Sequence, residues 1–171
     1  MPNGDGLVFL LRDQPMRKIK MTTKTLVKNQ KVFFNYEITD KYNAGIELFG
    51  YEVKAIQKGL GNMEGSYIVI RGGEAFLIGL DLPPYQQKNT PTEYDSKRNR
   101  RLLLNKKELI ELAEKEKEKG LTIVPITLYN NGRRIKLELG IAKGKKKFDK
   151  RQNIKKRESD KEINRALKGG R

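Results

Sequence analysis

Apolar and polar residues alternate along two early stretches of the chain, and a period of two is the pattern of half-buried β-strands. Residues 32–38 carry apolar side chains at every second position, beginning with Val32 and ending with Ile38. A polar turn over 40–43 leads into a second stretch, 44–49. We therefore predict two short strands joined by a tight connection.

Two later pairs of apolar runs are separated by dipeptides that favour hairpins. The pairs are 66–71 with 74–80 around Gly72-Gly73, and 121–129 with 133–142 around Asn131-Gly132. Such dipeptides suit a type I′ turn, because both central residues of that turn need positive φ. Pro125 predicts an edge position or a bulge in its strand, since proline has no amide hydrogen to donate.

Two segments have helical character. Residues 52–58 form a short stretch that Gly59 is expected to end, because glycine readily adopts the left-handed conformation that closes helices. Asn105 can cap a longer helix, and Glu108 stands three residues on, as in a capping box. Gly120 is expected to end that second helix.

These elements together predict a mainly β fold. About six short strands, one late helix and hairpin connections favour a small antiparallel β-barrel, and an OB-fold-like barrel with short helices is the natural candidate. A polar loop over 81–100 with three prolines interrupts the strands. Loops this long in compact domains tend to be functional.

Charge is distributed unevenly along this pattern. The chain has 37 Lys and Arg against 21 Asp and Glu, a formal net charge of +16. Residues 17–31 contain six basic and no acidic residues, and residues 143–171 contain 13 basic and four acidic residues. The intervening 32–142 is nearly neutral, with 17 basic and 15 acidic residues. Two basic arms around a balanced body indicate a polyanionic partner, either nucleic acid or an anionic membrane surface.

The C-terminal arm is too charged to form a core of its own. Its few apolar residues are Phe148, Ile154, Ile163, Ala166 and Leu167, whereas ordering a backbone costs roughly 1–2 kcal/mol per residue. We therefore predict that this arm is disordered when the protein is free and folds on a polyanion, because each neutralised phosphate releases a counterion. Phe148 lacks apolar neighbours in sequence, so we predict that it stacks on a partner.

The composition also excludes several kinds of chemistry. The sequence has no Cys and no His, which removes disulfides, Cys/His zinc sites, thiol nucleophiles and imidazole catalysis. The glycines of 59–65 lack the spacing of a dinucleotide-binding loop, so we expect no cofactor, and the acidic residues of the body show no metal-ligand spacing. The apolar run 7–11 is too short for a membrane span or a signal-peptide core.

A second basic feature lies inside the body. Lys97-Arg98-Asn99-Arg100-Arg101 places four cations directly before three leucines. This run is either a solvated loop or a patch that contacts phosphates. The two basic arms favour the patch, because Arg can bind phosphate through two donors at once.

Aromatic side chains supply the other half of RNA recognition, because bases stack on them. Five tyrosines lie near predicted turns or loops, namely Tyr42, Tyr51, Tyr67, Tyr85 and Tyr94. Four phenylalanines are assigned to the core, since Phe is usually buried, namely Phe33, Phe34, Phe49 and Phe76.

Five motifs in order give the chain a more specific resemblance. They are GIELFGYEVKAI, NMEGSYIVIRGGEAFL, RNRRLLLNKKEL, ITLYNNGRRIKLELGIAKGKK and GKKKFDKRQNIKKRE. Together they resemble the SmpB family, the bacterial SsrA-binding proteins, over residues 26–168. The resemblance implies an OB-fold barrel with a C-terminal tail. Such a protein binds transfer-messenger RNA (tmRNA, or SsrA RNA) and brings it to stalled ribosomes for trans-translation.

The resemblance also implies which residues contact RNA. In the barrel these are Asn29, Lys31, Asn43, Glu52, Lys54, Lys97, Arg98, Arg100 and Arg101. In the tail, which would contact the ribosome, they are Lys145, Lys146, Phe148, Asp149, Lys150, Arg151, Ile154, Lys155 and Arg157. Asn43 stands where the family usually has Glu, so the charge of that contact is absent here.

Three regions and a set of partners follow from the resemblance. We expect a flexible N-terminal extension (1–25), a barrel that binds the tRNA-like domain of tmRNA (26–142), and a tail that enters the empty mRNA channel near the decoding centre (143–171). The protein is expected to be cytoplasmic, monomeric when free, and bound to tmRNA and the ribosome but to no membrane. It is not expected to be an enzyme.

Two other functions stay open at this point. The first is a general OB-fold protein that binds single-stranded RNA, or a ribosomal protein. The second is an RNA-processing nuclease, which would need a carboxylate cluster for a metal or a general base. The scattered acidic residues and the absence of His disfavour it.

Overall fold

The main feature of the fold is an antiparallel sheet whose ends meet. The computed structural model describes residues 24–86, 88 and 90–168, without the side chains of Lys147, Phe148, Lys150, Asn153, Arg157 and Lys168. Most of the predicted N-terminal extension therefore lies outside the described residues. The strands in the described part are β1 (Lys24–Lys28), β2 (Tyr36–Ile46), β3 (Tyr67–Arg71), β4 (Glu74–Ile78), β5 (Arg100–Leu103), β6 (Leu121–Asn131) and β7 (Arg134–Gly144).

The strand order shows how the sheet closes. It runs β1-β6-β3-β4-β5-β2-β7, and β6 also pairs with β7. Six strands therefore form a ring, and β1 lies outside the ring against β6. The mainly β, antiparallel fold with short helices is thus confirmed, and the predicted small barrel corresponds to this ring.

The helices are α1 (Val32–Asn35), α2 (Gly50–Gln57), α3 (Lys106–Lys117) and α4 (Lys147–Lys168). The predictions for α2 and α3 are confirmed. At the start of α3 the backbone N–H of Asn105 donates to Oε2 of Glu108 at 3.1 Å, which is half of the predicted capping box. None of the helices in the described residues is long and apolar enough to cross a membrane.

The core fills the inside of the ring. Its fully buried members come from most of the strands and from α2 and α3, including Ile56, Ile68, Leu77, Leu80, Leu102, Leu112, Ile123, Leu128, Leu137 and Leu139. A smaller cluster of Val32, Val124, Ile126 and Ala142 lies beside it. These two clusters hold the strands in register, so the outward-facing side chains are displayed on a rigid support.

The predicted strand over 32–38 is wrong for residues 32–35, and the predicted turn over 40–43 is wrong. Residues Val32–Asn35 form one turn of helix, and β2 then runs without interruption from Tyr36 to Ile46. Val32 packs in the smaller cluster while Phe33 remains 40% exposed, so tertiary packing overrides the weak alternation. A bulge between Ile38 and Asp40 absorbs the polar segment that suggested a turn.

The two hairpins are present, with one shift of register. Gly72 and Gly73 both adopt positive φ between β3 and β4, as predicted. In the second hairpin Asn131 pairs with Arg134, so the turn is Gly132-Arg133 rather than Asn131-Gly132. Gly132 alone has positive φ there, which is the pattern of a type II′ turn.

Other differences concern strands that carry weak sequence signals. The sequence did not predict β1 or β5, because β1 is short and half polar and β5 begins within the basic run. The bulge predicted at Pro125 is confirmed, since the register between β6 and β7 shifts between Pro125 and Thr127. The predicted boundary at residue 142 falls inside β7, which continues to Gly144.

The structure describes Lys147–Lys168 of the tail as one helix of 22 residues, and the disorder expected of the tail in the free protein stays a prediction. The segment contains no Pro or Gly, and Asp149 in the first turn complements the helix dipole. These local features favour a helix in a segment that is highly charged and has few apolar residues.

Candidate nucleic-acid interface

A buried ion-pair network anchors the loop that carries the basic run. Glu52 occupies the third position of α2, and its Oε2 accepts from the Phe49 N–H at 2.9 Å. Its Oε1 accepts from Nε of Arg98 at 2.9 Å and from Nη2 of Arg100 at 2.9 Å. Tyr94 donates its hydroxyl to the same carboxylate at 3.1 Å. One carboxylate therefore binds two guanidinium groups from the far end of the loop.

The charge of Glu52 is maintained although the side chain is buried. Burial by itself would raise the pKa, but the hydrogen bonds from Arg98 and from the Phe49 amide, together with the charge of Arg100, hold the pKa of Glu52 below its ordinary value. The network is therefore ionised under ordinary conditions, and each of its members depends on the others.

Arg100 is part of this network and has no exposed surface. Its guanidinium donates to three backbone carbonyls, at 2.6 Å to Leu80, 2.9 Å to Ser96 and 3.0 Å to Arg98. The side chain thus ties both ends of the 81–99 loop to α2. Glu52 and Arg100, which the resemblance assigned to RNA contact, are placed where they can only position other residues.

The remaining cations of the run face solvent. Lys97 is exposed, and Arg101 is half exposed between the carboxylates of Glu47 (3.6 Å) and Glu74 (2.6 Å). Arg98 is partly buried, with 25% of its side chain exposed. Its guanidinium stacks 4.1 Å from the ring centroid of Phe49 and also binds Glu52. The predicted patch is therefore divided into surface cations and one buried arginine.

Aromatic rings extend the exposed part of this surface. Phe49 is 49% exposed, so its assignment to the core is wrong. Its ring lies 5.4 Å from that of Tyr51, which makes an edge contact with Tyr94 at 5.0 Å. We call Phe49, Tyr51, Lys54 and Arg98 the aromatic-basic surface. Rings beside cations are the combination that binds stacked bases and their phosphates.

A cleft adjoins this surface. Its volume is about 210 Å³, and it is lined by Gly50, Tyr51, Lys54, Tyr85 and Gln86. Lys54 is exposed at its edge. The sequence did not indicate that Phe49 is exposed, because Phe is usually buried.

Asn29 and Lys31 lie at a second place on the molecule. The Asn29 side chain is buried and donates from Nδ2 to the carbonyls of Met63 and Pro125, both at 3.1 Å. It thereby joins the end of β1 to the bulge of β6. Lys31 is exposed and pairs with Glu64 at 2.8 Å. Of these two residues, Lys31 has a charged side chain in contact with solvent, whereas the neutral side chain of Asn29 is buried.

Asn43 lies at a third place, on the outer face of the sheet. It is exposed on β2, and its Oδ1 accepts from the Tyr129 hydroxyl at 3.0 Å. Among the contacts that the structure gives for its described residues, none joins Asn43 or Lys31 to the Glu52 network. The predicted barrel contacts therefore form three groups rather than one.

The tail is attached at its base and exposed beyond it. Lys145 donates its backbone N–H to Asn35 and its Nζ to Phe33, both carbonyls at 2.9 Å, so the start of the tail rests on α1. The other predicted tail residues whose side chains are described are all exposed, namely Lys146, Asp149, Arg151, Ile154 and Lys155. The predictions for Phe148, Lys150 and Arg157 concern side chains outside the described part.

Comparison with known proteins gives this arrangement a context. A family model described as SmpB protein matches residues 26–169. A protein of Thermosipho africanus described as SsrA-binding protein is 47% identical over 149 residues, which cover 86% of this chain and 99% of that protein. One from Cupriavidus taiwanensis with the same description is 44% identical over 147 residues, covering 86% of this chain and 99% of that protein.

A solved structure gives the same result in three dimensions. Its description is "tmRNA-SmpB: a journey to the center of the bacterial ribosome". The matching chain is 36% identical, with a TM-score of 0.62, and the match covers 77% of this chain and 95% of that chain. Fold and sequence therefore point to the same group of proteins.

Proposed function

The chain belongs to the SmpB family, and on that premise we propose that it is a tmRNA-binding protein that acts with tmRNA on stalled ribosomes in trans-translation. The family match over residues 26–169 carries this conclusion. It includes the sheet except for the first two residues of β1, the loop and the whole of the tail helix, so the regions that would be needed for both partners lie within it. The proposed activity is binding, and it contains no chemical step.

The body is proposed to hold the tRNA-like domain of tmRNA through its exposed cations and rings. The aromatic-basic surface supports this, because it offers ring faces for unstacked bases and charges for phosphates. Lys97 and Arg101 extend its charge, and Lys31 adds a separate contact. Asn29, Glu52 and Arg100 are proposed to act through the residues that they position.

The tail is proposed to act on the ribosome. α4 leaves the body after Lys146, and its described side chains are exposed, so most of its cations can meet rRNA. We propose that it occupies the mRNA channel near the decoding centre when the channel is empty. A segment that mRNA excludes from the channel, and that rRNA orders when mRNA is absent, would bind only ribosomes whose channel is empty.

Competition binding tests the proposal against a general RNA-binding protein. Labelled tmRNA bound to the full-length protein is challenged with unlabelled tmRNA and with unstructured RNA of equal length at one salt concentration. Equal length matters, because phosphate contacts alone bind both RNAs. We expect tmRNA to compete much more strongly. Equal competition would contradict the proposal and favour the general RNA-binding alternative.

A further inference from the structure

A polar groove lies on the outer face of four neighbouring strands, away from the Glu52 network. It has a volume of about 340 Å³ and is lined by Thr25 of β1, Thr127 and Tyr129 of β6, Glu138 of β7 and Asn43 of β2. Pairing across the strands brings these side chains together, because Asn43 is the register partner of Glu138, and Thr25 is that of Tyr129. Directly opposed side chains in a sheet lie within roughly 4.5–5.5 Å at their Cβ atoms.

One hydrogen bond determines which atom of Asn43 faces a ligand as a donor. The Tyr129 hydroxyl donates to Oδ1 of Asn43 at 3.0 Å, which leaves the amide nitrogen of Asn43 as the polar group for a ligand. The phenol of Tyr129 is protonated at neutral pH, since its ordinary pKa is 10.0 and burial and then the charge of Glu138 raise the pKa further. Asn43 is therefore held as a donor.

Glu138 supplies acceptors beside that donor. Its Oε1 accepts from Nζ of Lys41 at 3.2 Å, an exposed contact that water or a ligand can compete with. A carboxylate can accept hydrogen bonds at both oxygens. Beside the hydroxyls of Thr25, Thr127 and Tyr129, the groove thus presents the amide donor of Asn43 next to a carboxylate that can accept two neighbouring bonds.

This arrangement matches one base better than the others. The pairing edge of guanine has an acceptor, O6, followed by two adjacent donors, the N1 and N2 hydrogens. Adenine, cytosine and uracil do not have two adjacent donors on that edge. A carboxylate that meets RNA is repelled by phosphates, so a favourable contribution requires hydrogen bonds from RNA donors, and the pairing edge of guanine offers two such donors side by side.

We propose that this groove binds one unstacked guanine of the RNA, with Glu138 accepting from N1 and N2 and Asn43 donating to O6. The inference rests on the proposed function, since it supposes that RNA is the ligand, and it adds a contact specific for one base to the exposed cations and rings proposed above. Unpaired bases of RNA are commonly read at this edge. Glu138 is then a specificity-determining residue.

Short RNAs of equal charge isolate the contribution of the base. The full-length protein is titrated with the labelled heptamers UUUGUUU, UUUIUUU and UUUAUUU, where I is inosine, which lacks the N2 amine of guanine. We expect the guanine heptamer to bind about tenfold more tightly than the adenine heptamer, with inosine between them. Chemical shifts of the Asn43 side-chain amide are followed in the same titrations, and they should move most with guanine.

Two variants test the assignment of residues. Glu138→Gln exchanges one acceptor for a donor, so the preference for guanine should fall to about twofold or less. Glu37→Gln is the matched control, because Glu37 is an exposed carboxylate on β2 outside the groove, and it should keep the full preference. Circular dichroism checks that both variants are folded.

The outcomes separate this inference from the proposed function. If the wild-type protein binds tmRNA but binds the three heptamers equally, the guanine site is wrong and the function stands. A preference that survives Glu138→Gln would place base recognition elsewhere and overturn the assignment. If free GMP binds as tightly as the guanine heptamer, the groove is a nucleotide site rather than part of an RNA interface. Failure to bind tmRNA at all would instead overturn the proposed function.

Discussion

Glu52 shows how a residue that matches an RNA-binding motif can serve the fold. The side chain is about 1% exposed and binds two arginines, so it holds the loop that displays Arg98 and Lys97. Removing one partner of a buried ion pair leaves the other charge uncompensated, which costs more than the pair itself contributes. The motif therefore marks a residue whose effect on RNA is transmitted through Arg98.

We expect Glu52→Gln to lower the free energy of unfolding at pH 7 by about 3–5 kcal/mol, because Arg100 then remains buried without its counterion. Chemical denaturation measures the change. The control is Glu47→Gln. Glu47 is half exposed, and its ion pair with Arg101 is long, at 3.6 Å, so this substitution should lower the free energy of unfolding by less than about 1 kcal/mol. Equal effects of the two substitutions would contradict the role given to the network.

The same network makes stability depend on pH. The pKa of Glu52 is lower in the folded protein than its ordinary value of 4.5. Its contribution is therefore present above pH 4.5 and is lost as the pH falls through the folded-state pKa. Denaturation curves across the acid range should show a steeper loss of stability for the wild type than for Glu52→Gln. Parallel curves would show that Glu52 does not titrate in this way.

Lys54 is an exposed cation of the aromatic-basic surface. Its substitution should therefore change the affinity for RNA, whereas substitution of Glu52 should change the stability of the fold. If it contacts a phosphate, Lys54→Ala should weaken tmRNA binding and reduce the slope of log K against log salt by about 0.7–0.9. Filter binding at several salt concentrations measures the slope. Lys115→Ala is the control, because Lys115 is paired with Glu118 on α3 and should leave the slope unchanged.

Among the structural elements, β2 and β7 show how irregularities shape the sheet. Nine pairs of residues join the two strands, and a bulge between Ile38 and Asp40 shifts their register. Gly140 of β7 faces this bulge, where a Cβ would lie 2.8 Å from Cγ2 of Ile38 and 3.2 Å from the carbonyl of Asp40. The close approach of β2 and β7 therefore requires glycine at this position.

Gly140→Ala should reduce the free energy of unfolding by about 1–3 kcal/mol, because the added methyl group would force the bulge to open or Ile38 to move. Thermal or chemical denaturation measures the loss. Gly144→Ala is a matched control in the same strand, since nothing lies within 4 Å of its Cβ position. If both variants are equally stable, the contact between the two strands is looser than the structure indicates.

α4 differs from the other helices in what supports it. Three of its described apolar side chains are exposed, 42% at Ile154, 56% at Ile163 and 76% at Leu167. Helices of this kind depend on intrinsic propensity and local charge pairs, which stabilise isolated helices only marginally. The helix is therefore poised to be ordered further by a partner, which suits the role proposed for the tail.

In the whole molecule, the body and the tail carry different proposed functions. The tail meets the body through Lys145, whose two hydrogen bonds reach α1. α4 shares no residue with the aromatic-basic surface, and none of the hydrogen bonds, ion pairs or ring contacts given for the described residues joins the two. A division between tmRNA binding by the body and ribosome binding by the tail is thus structurally feasible.

Deleting residues 147–171 should leave the affinity for tmRNA largely unchanged but abolish peptide tagging on stalled ribosomes. The deletion begins after Lys146 so that β7 and the contacts of Lys145 are kept. Gel-shift titration and a tagging assay in a purified translation system measure the two effects. Ile154→Pro provides a control that retains the charge of the tail but interrupts α4, and it should reduce tagging alone. Loss of tmRNA binding in the deletion would contradict the division.

Several elements could be read from the sequence because their signals are local. The capping box at Asn105, the Gly72-Gly73 turn and the bulge at Pro125 each depend on a few neighbouring residues. The stretch 32–43 was misread because its alternation and its polar turn are also compatible with a helix and a bulged strand. Packing of Val32 against β6 and β7 decides between them.

The sequence predicted which residue types form the candidate site, but it predicted less well which of these residues are exposed and which lie close together. The basic run identified Lys97 and Arg101, and the family resemblance identified Lys54. It could not show that Arg100 is buried, because adjacent residues in a strand face opposite sides and the phase of β5 is set by its partners β2 and β4. It also could not pair Asn43 with Glu138, which lie 95 positions apart.

The sequence by itself determined the family, the mainly β fold, the uneven charge and the likeness to tmRNA-binding proteins, since motifs and composition are properties of the chain alone. The tertiary structure alone decided which of the motif residues reach solvent. Burial depends on strand register and on partners that are distant in sequence. For this reason the sequence did not show that Glu52 and Arg100 are buried and hold the loop, that Phe49 is exposed, or that Glu138 lies opposite Asn43.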